Sequence, residues 1–172
     1  MGLIILGALL TAYNLIQARD IGQTAASEFA EQIEQARQDE LSNYLSLAIS
    51  SIQHLREHPD ANTDPAIQEE AKDILRNLRF DDAGDVGYMF VYDEQGVSIA
   101  HGVNSSLEGE NLIDFQDPNG VYLIQELLDA AMAGGDFVEY GWSNPDGTPG
   151  PKLGYAEMLD DWGWMVGTGF WI

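Results

Sequence analysis

Residues 86–92 and 97–101 are two short runs rich in aromatic and β-branched side chains, and the polar turn Asp93-Glu94-Gln95-Gly96 separates them. That is the sequence pattern of a β-hairpin. Successive strand side chains point to opposite faces, so Tyr88, Phe90 and Tyr92 are expected on one side and Met89 and Val91 on the other. One face then carries three large rings, two of them with hydroxyls. Such a face suits a packed core or a small-molecule pocket.

Elsewhere the hydrophobic period is helical. Residues 20–58 hold no proline, and apolar side chains recur at Phe29, Ile33 and Ala36, then at Tyr44, Leu45, Ala48, Ile49, Ile52 and Leu55. This spacing predicts a long helix whose more apolar second half lies on a sheet, while residues 25–40 form a stalk beside a second copy. Pro59 ends the helix. Asp64-Pro65 then caps a second helix with an apolar stripe at Ile67, Ala71, Ile74, Leu75 and Leu78. Asp81-Asp82-Ala83-Gly84-Asp85 reads as a turn, and the Gly-, Asn- and Ser-rich residues 102–120 read as a loop able to close over a pocket. A helix is expected over 121–133, ended by Gly134-Gly135, and strands over 137–142, 152–159 and 163–171. The sum is an α+β domain with a five-stranded antiparallel sheet.

The amino-terminal residues 2–18 begin with the apolar run Leu3-Ile4-Ile5-Leu6-Gly7-Ala8-Leu9-Leu10. A spanning helix needs roughly 20 mostly apolar residues, so residues 1–18 are expected to be part of a transmembrane helix. A buried or partner-packed helix is the alternative. Residues 19–58 then form the stalk and packing helix, and 59–172 the core.

Composition removes several function classes. Without cysteine there is no disulfide, thiolate metal site or nucleophilic thiol. The formal charge of -22, from 29 acidic against 7 basic residues, argues against nucleic acid as a partner. No Gly-x-Ser-x-Gly elbow occurs, His54 and His58 sit at a helix end, and there is no cysteine to complete a zinc site, so neither an enzyme nor a metal cofactor is expected. Asp114, Asp117 and Asn119, or Asn144 and Asp146, are oxygen-bearing turn residues that lack the rest of a calcium loop. After Arg79 the chain has one Lys or Arg, Lys152.

The series Gly87-Tyr88-Met89-Phe90-Val91-Tyr92-Asp93, Ala100-His101, Leu107-Glu108-Gly109-Glu110-Asn111-Leu112, Asp117-Pro118-Asn119-Gly120, Phe137-Val138-Glu139-Tyr140-Gly141-Trp142, Pro151-Lys152-Leu153-Gly154-Tyr155 and Trp162-Gly163-Trp164-Met165-Val166-Gly167-Thr168-Gly169 resembles the single Cache domain family, type 2. The likeness runs from about residue 25 to the end. It implies a PAS-like five-stranded sheet behind a long amino-terminal helix. It further implies an extracytoplasmic sensor of a bacterial chemoreceptor or histidine kinase, anchored in the inner membrane by flanking helices, dimeric through the long helix, and binding a small carboxylate such as acetate, propionate or pyruvate. The family has proline after the histidine, where this chain has Gly102.

A carboxylate withdrawn from water needs a cation or several donors. The resemblance makes Lys152 the leading counter-ion and Tyr155 a hydroxyl donor. Strict alternation puts those two on opposite faces, so both reach one ligand only if a bulge intervenes near Gly154. Tyr88 and Tyr92 are further donors, and Phe90 is an apolar wall or plain core. His101 shares strand parity with Val97 and Ile99 and is expected to face inward, where protonation at lower pH would tighten anion binding. Tyr140 and Trp142 share a face, with Trp142 as a flat wall or sheet packing, and Trp164 borders the site or packs. A ligand-free dimerisation or partner-binding module is the competing reading, and an open or filled space beside Tyr88, Tyr92 and Lys152 discriminates the two.

Overall fold

The computed structural model describes the main chain of residues 2–82, 84–143 and 148–172; within the first helix it describes the side chains of Tyr13 and of residues from Ile16 onward. The side chains of the apolar run 3–10, and Asn144 and Asp146 with their turn, lie outside the described residues. Two compact units are present, residues 1–39 and 40–172. The first is wholly helical, part of α1 (Gly2–Ser51), and Tyr13, Ile16, Ile21, Phe29 and Ile33 are exposed on it. Among the described residues no helix is long and apolar enough to cross a membrane.

In the second unit the end of α1 buries Leu41, Leu45 and Ala48. The helix breaks at Ile52, resumes as the short α2 (Gln53–Arg56), and is followed by α3 (Pro65–Asn77). Asp64 caps α3 by accepting the Ala66 N–H at 2.9 Å. Leu45, Ala48, Ile52, Leu55, Ala71 and Leu75 pack with Met89, Val91, Trp164 and Val166 into one apolar layer.

The strands are β1 (Arg79–Asp82), β2 (Asp85–Tyr88), β3 (Phe90–Asp93), β4 (Ser98–His101), β5 (Asp136–Ser143), β6 (Pro149–Leu159) and β7 (Trp164–Trp171). Five of them form an antiparallel sheet in the order β4-β3-β7-β6-β5. The other two form a separate ribbon. β1 falls where the sequence reads as the end of a helix and a polar turn, and it pairs with β2 from Arg79↔Tyr88 to Asp82↔Asp85.

The run expected as one strand over 86–92 is therefore divided at Met89. Thr168 Oγ1 donates to the Tyr88 carbonyl at 2.9 Å, and the Gly102 N–H donates to the Met89 carbonyl at 2.9 Å, so both acceptors are used outside a single continuous ladder. Proline at 102 would lack that N–H. A Cβ there would also stand 2.8 Å from Tyr88 Cβ. Glycine at this position is a consequence of close packing between the ribbon and β4.

The expected parity survives the division. Tyr88, Phe90 and Tyr92 pack with Leu123, Ile124, Leu127 and Leu128 of α4 (Leu123–Met132) on one face, and Met89 and Val91 with the amino-terminal helices on the other. Parity fails at His101. The pairing steps from Val91↔Ala100 to Tyr92↔Ser98, which leaves Ile99 in a bulge. His101 is consequently opposite Phe90 on the α4 side, while Ile99 packs with the amino-terminal helices.

Candidate functional site

On the α4 side of the sheet a cavity of about 810 Å³ opens between the ribbon, β4, the loop after it and the ends of β5 and β7. Tyr88, His101, Phe115, Asp117, Trp142 and Trp171 are among the residues that line it. Lys152 stands one layer behind this wall. Its residue is 2% exposed, which places it among the largest fully buried side chains of the described residues.

The surroundings of that ammonium are aromatic. Nζ donates to the Tyr88 hydroxyl oxygen at 3.4 Å and lies 4.5 Å from the Tyr88 ring centroid and 4.7 Å from that of Trp171. Ring faces attract a cation through their quadrupole. They replace only part of its hydration. Burial lowers the Lys152 ammonium to about 8, against the opposing pull of Asp82 and Asp85. Among the described residues no carboxylate is in direct contact with it.

Tyr88 and His101 present donors to the same cavity. Burial raises the Tyr88 phenol far above its ordinary value, so it stays protonated. Its oxygen already accepts from Lys152, which polarises the O–H and strengthens it as a donor. His101 is 3% exposed and its Nδ1 accepts the Asn104 N–H at 3.1 Å, which assigns the ring proton to Nε2. Burial first, then the nearby Lys152 charge, lowers His101 to about 4. The imidazole is thus neutral at ordinary pH, and the expected tightening by protonation is displaced to strongly acid conditions. Its ring stacks on Trp142 with centroids 6.3 Å apart, and Phe115 meets Trp142 edge-on at 5.8 Å.

The loop over the cavity is anchored at both ends. Glu108 accepts from Arg76 Nε at 2.8 Å and from the His101 N–H at 3.0 Å. Arg79 donates to the Gly102 carbonyl. Further along, the Asp117 carboxylate accepts the N–H groups of Asn119 and Val121, each at 2.8 Å, and that of Gly141 on β5 at 2.6 Å. Burial acts to raise the Asp117 carboxyl, but these backbone donors outweigh it and hold it below the usual range.

The nine residues singled out from sequence divide into three groups. Tyr88, His101 and Trp142 line the cavity with Lys152 behind them. Phe90, Tyr92 and Tyr140 border a second void of about 10 Å³ beneath α4, room for about one water. Burial pushes the Tyr92 phenol up to about 12 and also raises that of Tyr140 well above its ordinary value. Tyr155 and Trp164 lie on the opposite face, Tyr155 against Phe137 with its hydroxyl on Glu157 at 3.1 Å, and Trp164 against Trp162. β6 keeps an unbroken register with both neighbours through Gly154, so no bulge turns Tyr155 toward Lys152. Trp171, Phe115 and Asp117 were not anticipated in the wall. The pairing Lys152↔Trp171 follows from aligning β6 with β7 and was the available signal for Trp171.

Among the described residues no cluster of His, Asp and Glu is arranged to hold a metal ion. The chemistry on offer suits an anion: a buried ammonium, a polarised phenol and an imidazole N–H beside aromatic walls.

The comparisons with known proteins agree with this geometry. Residues 33–172 match the single Cache domain 2 family. The chain is 34% identical over 164 residues to the sensor histidine kinase MctS of Rhizobium johnstonii, covering 95% of this chain and 35% of the kinase. It is also 34% identical over 134 residues to the methyl-accepting chemotaxis protein CtpM of Pseudomonas aeruginosa, covering 77% of this chain and 23% of the receptor. The chain thus spans about a third or less of these relatives. Among solved structures, a methyl-accepting chemotaxis protein from Vibrio parahaemolyticus superposes with a TM-score of 0.73 at 38% identity, over 83% of this chain and 93% of that one. A Cache chemosensory domain described for its carboxylic acid recognition superposes with a TM-score of 0.74 at 25% identity, over 83% and 97%. The chain belongs to the single Cache domain 2 family, the sensor modules of chemoreceptors and sensor histidine kinases.

Proposed function

We propose that this domain senses a small organic monocarboxylate, of the size of acetate, propionate or pyruvate, for a membrane-anchored bacterial receptor whose sensor faces the periplasm or the cell exterior. The observation that carries the reading is the Lys152 ammonium, fully buried beside a cavity and faced by a hydroxyl and two rings. An ammonium withdrawn from water without a carboxylate in contact costs several kcal/mol, to order of magnitude. A bound carboxylate offsets that cost.

In this reading the acid places one oxygen toward Lys152 and the Tyr88 O–H and the other toward His101 Nε2–H, with its carbon end against Trp142. Phe90, Tyr92 and Tyr140 support the wall from below rather than touching the acid. Residues 1–18 belong to a membrane helix, and the exposed apolar positions of α1, from Tyr13 to Ile33, pack against a second copy. The cavity opens beside Tyr88 with Lys152 behind it, whereas only about 10 Å³ is open beside Tyr92, and it is the open part that favours ligand sensing over a ligand-free dimerisation module.

Isothermal calorimetry with acetate, propionate and pyruvate tests the reading directly. Binding of at least one acid, abolished by Lys152→Met, is the expected result. If none of a panel of monocarboxylates binds, the reading fails.

A further inference from the structure

Trp171 is joined to the site twice. Its ring lines the cavity and covers Lys152 Nζ at 4.7 Å. Its main-chain N–H donates to Asp82 Oδ2 at 3.0 Å. Asp82 is the last residue of β1, and β1 pairs with the strand that carries Tyr88, the other ring on the same ammonium. Lys152, Trp171, Asp82 and Tyr88 therefore close a loop that runs from the cation through the end of β7 to the ribbon and back.

An arriving carboxylate and the two rings compete for the same nitrogen. The anion must approach from the cavity, and the rings form the cavity wall at that point. Tyr88 can yield its ring contact and still serve the acid through its hydroxyl. Trp171 has no such substitute: its indole N–H is a lone donor at the ring edge.

We propose that Trp171 is a displaceable cover for the Lys152 ammonium, a residue that sets acid affinity by competing with the ligand and passes occupancy to the end of β7 when it gives way. This rests on the carboxylate reading of the site. Movement of the indole strains the main chain of Trp171, whose N–H is the one bonded to Asp82.

The test uses the whole chain with acetate, propionate and pyruvate as probes. In the unaltered protein, the acid that binds by calorimetry is expected to speed hydrogen exchange at the Trp171 amide and to shift its indole resonance. Trp171→Leu removes the competing ring and is expected to tighten that acid roughly threefold or more. Trp171→Phe keeps a weaker ring and is expected to fall between. Binding with the Trp171 amide and indole signals unchanged, or a Trp171→Phe variant that folds and binds more weakly than the parent, overturns the proposal while leaving the carboxylate reading intact. Absence of binding by every acid overturns both, and the calorimetry alone reveals it.

Discussion

The Tyr88 hydroxyl lies 3.4 Å from Lys152 Nζ, and the same nitrogen is 4.5 Å from the centre of the Tyr88 ring. One side chain thus meets the cation with both its polar end and its π face. The phenol is left with a free proton to donate, sharpened by the charge behind it. In the proposed function this pair is what attracts an anion, even though the chain as a whole carries a formal charge of -22.

Removal of the charge should separate binding from folding. Lys152→Met replaces a buried ammonium by an apolar side chain of similar length, and so removes a desolvation penalty of several kcal/mol, to order of magnitude, that no carboxylate in contact offsets. The variant is expected to melt at or above the parent temperature and to bind acid at least about 100-fold more weakly, since loss of a buried charged partner costs about 3 kcal/mol or more. Calorimetry and thermal melts read the two effects separately. Acid binding at parental strength by a folded Lys152→Met protein would contradict the assignment.

Acid affinity should fall in alkali. A bound carboxylate favours the ammonium form, and in the free protein that form is lost above about 8. Affinity is therefore flat below that point and declines above it by up to about tenfold per pH unit. Stability of the free protein moves the other way. Between about 8 and 10.5 the unfolded chain holds the Lys152 proton and the folded chain does not, so stability gains from this group as pH rises through that window. Calorimetry and denaturation across pH 7 to 10, on the order of the window just derived, measure both slopes.

His101 should leave binding unchanged in weak acid. Its folded value of about 4 lies below the ordinary 6.5, so the folded protein resists protonation that the unfolded chain accepts. Its stability contribution is complete above 6.5 and is lost as pH falls toward 4. Imidazole resonances followed by NMR should show one histidine titrating near the lower value. A His101 midpoint near 6.5 would refute its buried neutral state.

Asp117 should matter to the loop more than to the ligand. Three backbone N–H groups lose their acceptor in Asp117→Ala, each partner bond to a charged group being worth about 1.5–3 kcal/mol before relaxation and rehydration. The expected result is a lower melting temperature by several degrees and faster exchange at the Asn119, Val121 and Gly141 amides. Parental exchange at all three would show that the loop is held elsewhere.

Gly167 should resist even a methyl group. A Cβ there would lie 2.3 Å from the Phe90 ring, across the β3–β7 pairing of the two residues. Gly167→Ala is expected to cost about 1–3 kcal/mol by overpacking, measured by urea denaturation. A parental midpoint would show that Phe90 has room to move.

Much of this arrangement was readable from residue pattern. The parity that groups Tyr88 with Phe90 and Tyr92, the apolar spacing of Leu45, Ala48, Ile52 and Leu55, and the cap at Asp64 are local signals, and local signals survive folding. The β1 ribbon did not show, because Arg79-Phe80-Asp81-Asp82 has one apolar residue and becomes a strand only by pairing with β2. His101 reached the α4 side through the bulge at Ile99, which a strict period of two cannot express. Tyr155 was separated from Lys152 by the unbroken ladder of β6, and Trp171 joined the cavity because of what lies opposite it. In each case a partner strand decided the outcome, and partner strands are distant in sequence.

The division at Met89 gives the binding wall a seam. Tyr88 rides on a two-stranded ribbon, whereas Phe90, roughly 7 Å further along the chain, is locked into five strands. Shape changes around the hydroxyl then reach the large sheet through the Thr168 bond to the Tyr88 carbonyl and the Trp171 N–H bond to Asp82. Under the proposed function, substitutions within Arg79–Asp82 and Asp85–Tyr88 would therefore reshape the wall beside the acid while leaving the strands of the large sheet unaltered.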